Sequence, residues 1–417
     1  MSYVRWKKNK NLFNRIKKEL MVLFLIFGTD TFLFNTNINV TWEYISKGMI
    51  CCGVCWFILK YRKQTEKKVL ELFFICGLLM ISMIVSRDFT GGYIFKIILL
   101  AFGFYFTREI PFDEFRKYYI YWMKVIAINS LVGLVLCKFI VNSSLFPIMS
   151  NGIREVKMFG LTNITVRNDW TAAGTMLYRN YGPFWEPGVY QIYLILALAF
   201  SMFSKEKVNI FDAILFTCAI VSTFSTTGYI VMVLIYIAFF MQKKGTRYKL
   251  IVCLGGIVFL VAFFNMPHLV DFVFSKLSGK GSSAASFNAR WYSIWINLYI
   301  AISKPFGVGP NGLETNVQNF LKTNNIDVFF TNVNMITQQF AIFGILFGGY
   351  YVLKLCGSVN KIVKSNIGVK AILYFILIIE LFSEPLIYSL LFNTILFYSR
   401  EEIDGGNLKN YENSLAM

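Results

Sequence analysis

Residues 179–200 read RNYGPFWEPGVYQIYLILALAF, a segment that begins polar and ends as an uninterrupted apolar run. Arg179, Glu186, two prolines and two glycines lie at the junction. Pro187 favours the first turn of a helix, because the backbone donor that proline lacks would have no partner there. Glu186 would then stand at the N-terminus of the helix, where the helix dipole favours an anion. The stretch therefore predicts a membrane helix with an arginine and a glutamate at its mouth.

The composition of the whole chain is typical of a helical membrane protein. Of its 417 residues, 56% are hydrophobic and only 15% are charged, whereas soluble domains carry about 25% charged residues. Continuous apolar runs recur at about the length that crosses a bilayer, which argues against the alternating pattern of a β-barrel. We expect an all-α polytopic transmembrane bundle of about 12 spans that forms a single membrane-embedded domain, residues 1–417.

The expected spans follow from the positions of the apolar runs. They are residues 20–35, 44–59, 69–85, 92–107, 118–141, 187–203, 209–224, 227–241, 249–265, 335–356, 369–384 and 386–399. Loops rich in lysine and arginine, such as 60–68 and 242–249, are assigned to the cytoplasm together with both termini. These loops explain the formal net charge of +18 without a nucleic-acid partner.

Two loops on the opposite, outer side are long: residues 142–186 and residues 266–334. Long loops in a compact protein usually carry function. Aromatic residues and glycines run through both loops, so we expect ordered, partly helical structure there. Function is therefore expected on the outer face of the membrane.

The outer loops are notable for their arginines: Arg154, Arg167, Arg179 and Arg290. A guanidinium is always charged, and its planar fork matches phosphate oxygens. Such arginines bind either ordinary anionic lipid or the diphosphate of a lipid-linked substrate. For Arg179 the context leaves two interpretations open: it is the ion partner of a helix-capping Glu186, or both side chains line a catalytic pocket.

The sequence around Arg290 predicts a helix with two different faces. One face is apolar and aromatic: Trp291, Trp295 and Leu298. The other face is polar: Arg290, Ser293 and Asn297. A glycine-rich turn follows, in which Gly307 and Gly309 would let the backbone approach a substrate phosphate.

In their order along the chain, these motifs resemble the O-antigen polymerase and O-antigen ligase superfamily, which includes capsular and exopolysaccharide polymerases. The matching motifs are RNYG (179–182), EPG (186–188), STTGY (225–229), SFNARW (286–291), PFGVG (305–309) and TNVN (331–334). Together they cover roughly residues 170–350.

The resemblance implies a metal-independent membrane glycosyltransferase without a cofactor. Its substrate would be an undecaprenyl-diphosphate-linked oligosaccharide at the outer face of the bacterial plasma membrane. Its partners would be membrane lipid and, in the cell, a chain-length regulator and a flippase. In a polymerase, the growing chain leaves its lipid diphosphate and joins a new lipid-linked repeat unit.

Five side chains are the main candidates for the chemistry. Arg179 and Arg290 would stabilise the diphosphate leaving group. Glu186 is the first candidate for the carboxylate that orients the attacking hydroxyl and accepts its proton. Glu384 is the second, and Glu380 lies one helical turn before it. Further substrate contacts are expected from Arg167, Gly307, Gly309 and Asn332.

The sequence departs from the superfamily pattern in two places. Many members carry an arginine in the serine–threonine–glycine turn, where this chain has Thr226. The ligases carry a histidine where this chain has Asn332, and the only histidine is His268. These features favour a polymerase over an O-antigen ligase. A lipid-linked oligosaccharide flippase is the other alternative, and it would place charged residues deep in spans of both halves.

Overall fold

The structure, a computed structural model, is mostly helical. It describes residues 2–34, 40–61, 69–139, 147–150, 155–160, 162–165, 179–203, 208–242, 284–326, 330, 332–363 and 367–399. The predicted span 249–265 lies outside the described residues.

The described residues form 14 α-helices, followed by a short 3-10 helix, Leu396–Ser399. The α-helices are α1 (Ser2–Phe27), α2 (Val40–Tyr61), α3 (Val69–Ser86), α4 (Gly91–Glu109), α5 (Phe112–Phe139), α6 (Pro187–Met202), α7 (Ile210–Ser222), α8 (Thr226–Gln242), α9 (Ala284–Ser303), α10 (Gly312–Thr323), α11 (Met335–Phe343), α12 (Ile345–Ile362), α13 (Ile367–Ser383) and α14 (Leu390–Ile395). Helix α6 is the centre of the bundle, because nearly all of its side chains are buried.

The membrane character of the fold is confirmed by the length and composition of its helices. Three are long and apolar enough to cross a bilayer: Thr41–Tyr61, Val69–Ser86 and Phe112–Cys137. Shorter apolar helices accompany them: Pro187–Met202, Ile210–Ser222, Thr226–Gln242 and Leu390–Ser399. The figure of about 12 spans stays a prediction.

The predicted span 335–356 is two helices, because the chain breaks at Gly344. This glycine has a φ of 89°, and a Cβ atom on it would lie 2.7 Å from the carbonyl carbon of Phe306. The turn after α9 fits into the break: the Val308 amide donates to the Ala341 carbonyl at 2.9 Å, and the Ile345 amide donates to Pro305 at 2.8 Å. The break therefore fixes the end of α9 against α11 and α12.

The first long outer loop differs from the partly helical structure that we expected. Its described residues form an antiparallel sheet of four strands in the order β1–β2–β3–β4. The strands are β1 (Ile148–Ser150), β2 (Glu155–Phe159), β3 (Thr162–Thr165) and β4 (Asn180–Gly182). An isolated antiparallel bridge joins Thr31 to Phe184, so the chain after β4 is tied to the end of α1. The second loop contains α9, as the sequence around Arg290 predicts, and also α10, which was not predicted.

Ion pairs gather at the end of the bundle that the loop charges assign to the cytoplasm. Glu109, the last residue of α4, pairs with Lys17 and Lys60. Lys354 of α12 pairs with Glu71 of α3 at 2.8 Å. Helix ends predicted for the same side of the membrane thus lie together, and the predicted outer segments meet at the other end.

Candidate functional site

Arg179 is held at the C-terminal end of α7. Its Nε donates to the carbonyl of Thr223 at 3.0 Å, and its Nη2 donates to the carbonyl of Phe224 at 3.4 Å. The last carbonyls of a helix lack intrahelical partners and carry partial negative charge, so a cation is favourable there. These bonds fix the plane of the guanidinium beside the start of α6.

The rest of the RNYG motif positions Arg179. Asn180 is fully buried and donates to the hydroxyls of Ser130 and Ser222, each at 3.0 Å. Gly182 has a φ of 53°, and a Cβ on it would lie 2.7 Å from the ring of Tyr190. Only glycine combines this left-handed backbone with such close packing, so the motif locks β4 onto α5, α6 and α7.

Glu186 occupies the N-cap position of α6, as the sequence predicts. Its side chain makes no capping hydrogen bond to the helix amides, which disfavours the interpretation of Glu186 as a purely capping carboxylate. Two residues later, Gly188 lies directly under Glu384: a Cβ on Gly188 would be 1.8 Å from Glu384 Oε1. The glycine therefore gives the Glu384 carboxylate room at the first turn of α6.

Arg290 reaches the same carboxylate from α9. Its Nη2 lies 3.7 Å from Glu384 Oε1, and its Nε donates to the carbonyl of Ser383 at 3.4 Å. Ser383 is the last residue of α13, so this arginine also binds the C-terminal end of a helix. The Glu384 side chain is buried, whereas a third of the Arg290 side chain remains accessible.

Four charged side chains meet at this point, which we name the arginine–glutamate cluster: Arg179, Arg290, Glu186 and Glu384. Burial raises the pKa of the Glu384 carboxyl well above its ordinary value, and the nearby Glu186 carboxylate raises it further, while Arg290 and Arg179 lower it. Glu384 lies in the turn that follows α13. The cluster thus combines two carboxylates with two guanidinium groups, whose planar forks bind oxyanions.

The polar face of α9 binds the segment that follows the second loop. Asn332 accepts hydrogen bonds from Ser293 at 2.9 Å and from Asn297 at 3.1 Å. Asn334 caps α11 by accepting from the Thr337 amide at 2.9 Å. Asn332 thus holds α9 in place, and through α9 it positions Arg290.

A second buried carboxylate lies one turn below the cluster. Gln191 of α6 donates to Glu380 of α13, and both side chains are buried. Gly228 of the STTGY turn packs against this pair, because a Cβ on it would be 2.5 Å from Gln191 Oε1. The motif thus brings α8 close to α6 beneath the cluster.

Gly307 and Gly309 do not join the cluster. Both have positive φ, and the Gly309 amide donates to the Ile342 carbonyl at 3.0 Å. A Cβ on Gly309 would be 2.3 Å from Asp88 Oδ2. The Gly309 amide therefore serves the contact with α11, and the Gly307 amide closes the turn onto the Lys304 carbonyl at 2.8 Å. This differs from the phosphate-binding role that we expected.

Three residues considered from the sequence, Arg154, Arg167 and His268, lie outside the described residues. Within the described part of the chain, no group of three or more His, Cys, Asp or Glu side chains is placed to hold a metal ion.

Sequence reasoning missed Gln191, and it noted Gly188 only as part of the EPG motif without a role in the site. Each contacts a carboxylate of α13 or of the turn after it, and no local pattern links residues so distant in sequence. The signal that could have identified Gln191 is its polarity in the middle of an apolar run, since polar residues within membrane helices are usually functional. No family model and no curated protein matches this chain.

Proposed function

We propose that this protein is a polymerase that joins undecaprenyl-diphosphate-linked oligosaccharide repeat units into a surface polysaccharide. It acts at the outer face of the bacterial plasma membrane, with about 12 spans and both termini in the cytoplasm. The observation that carries the proposal is the arginine–glutamate cluster, in which residues from both long loops and from the turn after α13 converge.

The two guanidinium groups bind the diphosphate of the donor. Arg290 is one-third accessible and held by Ser383 and Glu384, while Arg179 is fixed by the end of α7. Cations fixed in this way stabilise the charge that develops on the leaving group without rearranging during the reaction. A diphosphate is already a good leaving group, so no strong acid is required.

Glu186 is the base that accepts the proton of the attacking sugar hydroxyl. The acceptor hydroxyl forms a bond to the anomeric carbon of the donor, and the bond from that carbon to the diphosphate oxygen breaks. The lipid diphosphate leaves with the electron pair, and the hydroxyl proton passes to the Glu186 carboxylate. Glu384 orients Arg290 through their contact at 3.7 Å.

The distribution of buried charge favours an enzyme over a flippase. Lys96 of α4 is fully buried and donates to the carbonyl of Ile387 at 2.5 Å, and Asp30 accepts from Ser389. Both contacts are made to the turn that contains Glu384. Lys96 and Asp30 therefore lie at the outer end, and the buried Asp212 at the start of α7 is paired with Lys124. A flippase would need charges along a path through both halves.

The proposal is tested with purified protein in lipid nanodiscs and the lipid-linked repeat unit of its source organism, in the presence of a chelator. The wild type should form a ladder of polymer. Arg290→Ala should slow it by about 10²–10³-fold, the usual effect of removing one transition-state donor. Arg290→Lys should recover part of the rate, because a lysine keeps the charge but loses the fork.

Arg15→Ala is the matched control, because it removes one positive charge from an exposed side chain at the opposite end. Unchanged polymer formation by well-folded Arg290→Ala would overturn the placement of the diphosphate. A wild type that forms no ladder, but moves the lipid-linked unit across proteoliposome membranes, would replace the polymerase with a flippase.

A further inference from the structure

A cavity of about 410 Å³ lies beside the arginine–glutamate cluster at the outer end of the bundle. Its walls come from the end of α1, the first turns of α2 and α4, and the turn after α13. The volume falls within the roughly 300–1,000 Å³ typical of small-molecule sites. The cavity is thus large enough to hold part of a substrate that the cluster does not itself bind.

The cavity and the cluster share two stretches of backbone. Trp185 lines the cavity and directly precedes Glu186, and Pro385 lines it and directly follows Glu384. The cavity therefore shares part of its wall with the backbone that carries both carboxylates. The bridge between Thr31 and Phe184 fixes this wall against the end of α1.

The cavity lining combines aromatic rings with hydrogen-bonding groups. The rings are Trp185, Phe95 and Tyr388. The polar groups are Thr29, Asp30, Glu43, Ser46 and Lys47. Sugars have apolar C–H faces and rims of hydroxyls, so a site that holds them needs flat aromatic surfaces and several acceptors and donors.

The charge of the lining separates this cavity from the diphosphate site. Its described acidic and basic side chains are two carboxyl groups, Asp30 and Glu43, and one ammonium, Lys47, which pairs with Glu43. Tyr388 adds a phenol. Asp30 is buried and also accepts from the Tyr193 hydroxyl. Since Lys47 and Glu43 neutralise each other, the described lining has no positive charge in excess, so it suits sugar hydroxyls rather than a diphosphate.

We propose that this cavity is the acceptor site, which holds the non-reducing-end sugars of the incoming repeat unit beside Glu186. The inference rests on the proposed function, since it assigns the second substrate of the same reaction. Trp185 stacks on a sugar face, and Asp30 accepts hydrogen bonds from its hydroxyls. The cavity thereby selects which sugar hydroxyl reaches Glu186.

The test measures binding of the repeat-unit oligosaccharide after mild acid has released it from its lipid, so that the probe carries no diphosphate. It should bind wild-type protein, and Trp185→Ala should weaken binding by about tenfold. Trp185→Phe should retain most of the affinity. Trp291→Ala is the control, because Trp291 is half exposed on the outer face of α9. Arg290→Ala should bind the probe normally while forming polymer about 10²–10³-fold more slowly.

The outcomes separate this inference from the proposed function. The acceptor site would be overturned, and the polymerase retained, by either of two results in a wild type that forms polymer. One is that the wild type does not bind the probe; the other is that Trp185→Ala binds the probe as tightly as the wild type. Probe binding that depends on Trp185, in a protein that forms no polymer, would support the sugar site and overturn the polymerase. If Trp185→Ala misfolds, Trp185→Phe and Asp30→Asn become the deciding variants. Unaltered affinity of Asp30→Asn for the probe would show that Asp30 is not part of the site.

Discussion

Glycines account for several of the closest contacts around the arginine–glutamate cluster. Gly182 admits the ring of Tyr190, Gly188 admits the Glu384 carboxylate, and Gly228 admits the Gln191 amide. In each motif the glycine makes space for a side chain of another segment. The glycines of these loose motifs are therefore explained by packing, and the chemistry belongs to the side chains that they admit.

Gly188→Ala should reduce activity more than stability. The added methyl group would occupy the position of Glu384 Oε1, 1.8 Å from the Cβ, so the carboxylate must rotate away and lose its contact with Arg290. We expect polymer formation to fall by at least about tenfold, since small misplacements of catalytic groups are costly. The melting temperature should change little, because the displaced atom is the end of a side chain.

Gly349→Ala on α12 is the matched control for this substitution. A Cβ there meets no atom within 4 Å, and alanine stabilises a helix interior by roughly 0.5–1 kcal/mol relative to glycine. Activity should therefore stay at the wild-type level, with an equal or higher melting temperature. Equal activity of the two alanine variants would show that the position of the Glu384 carboxylate is unimportant.

At the scale of single elements, α9 has the two faces that its sequence predicts. Ser293 and Asn297 are fully buried, whereas Trp291 and Trp295 are more than half exposed and pack edge to face with ring centroids 5.6 Å apart. The polar face binds Asn332, and the aromatic face is left for lipid. This division sets the rotation of α9 and thus the direction in which Arg290 points.

Two leucine substitutions on α9 test this division. Asn297→Leu removes the donor to Asn332 and places an apolar group among buried polar atoms, so it should cost about 1–2 kcal/mol. Trp295→Leu keeps an apolar side chain on the exposed face and should be nearly neutral. Thermal unfolding of the two variants, followed by size-exclusion chromatography, measures the difference; a larger loss for Trp295→Leu would reverse the assignment of the faces.

Most of the helices could be predicted from the sequence, because a long apolar run next to charged residues is a local signal. The α6 start at Pro187 follows from such a signal. The break at Gly344 could not be predicted, since Gly348 and Gly349 in the same run look equivalent. For the same reason Gly307 and Gly309 suggested a phosphate loop, whereas their backbone fits the break between α11 and α12.

The residues of the site were easier to predict from the sequence than the long-range contacts between them. Arg179, Glu186, Arg290 and Glu384 are recognisable as charges beside apolar runs, and the structure brings them together. That Arg179 would bind the end of α7, or that Glu384 would lie on Gly188, depends on tertiary packing that no sequence period encodes.

At the scale of the whole molecule, the bundle has two chemically different ends. Lysine–glutamate pairs between different helices hold one end, as at Lys18 and Glu114, whose side chains are 2.6 Å apart. The other end holds the cluster, the acceptor cavity and α10, whose buried Leu313, Val317 and Leu321 fasten it to the bundle. The proposed reaction requires the second end to face outward.

Labelling with a membrane-impermeant maleimide tests this orientation. Gln318→Cys, on the exposed face of α10, should react in intact cells. Lys117→Cys, exposed on α5 near the ion-paired end, should react only after the membrane is permeabilised. The unsubstituted protein gives the background from its own cysteines. The reverse pattern would place the cluster in the cytoplasm and exclude polymerisation at the outer face.

The buried Asp30 also has a consequence for biogenesis. Its hydrogen-bond donors Tyr193 and Ser389 are translated 163 and 359 residues later. The carbonyl of Ile387, which accepts from Lys96, is translated 291 residues after that lysine. The ribosome therefore delivers a carboxylate and an ammonium to the translocon long before these partners exist. A nascent chain that stops at the end of α13 lacks Ile387 and Ser389, so Asp30 keeps only Tyr193 and Lys96 has no carbonyl to bind there. We expect such a truncated chain to be a substrate for quality-control proteolysis.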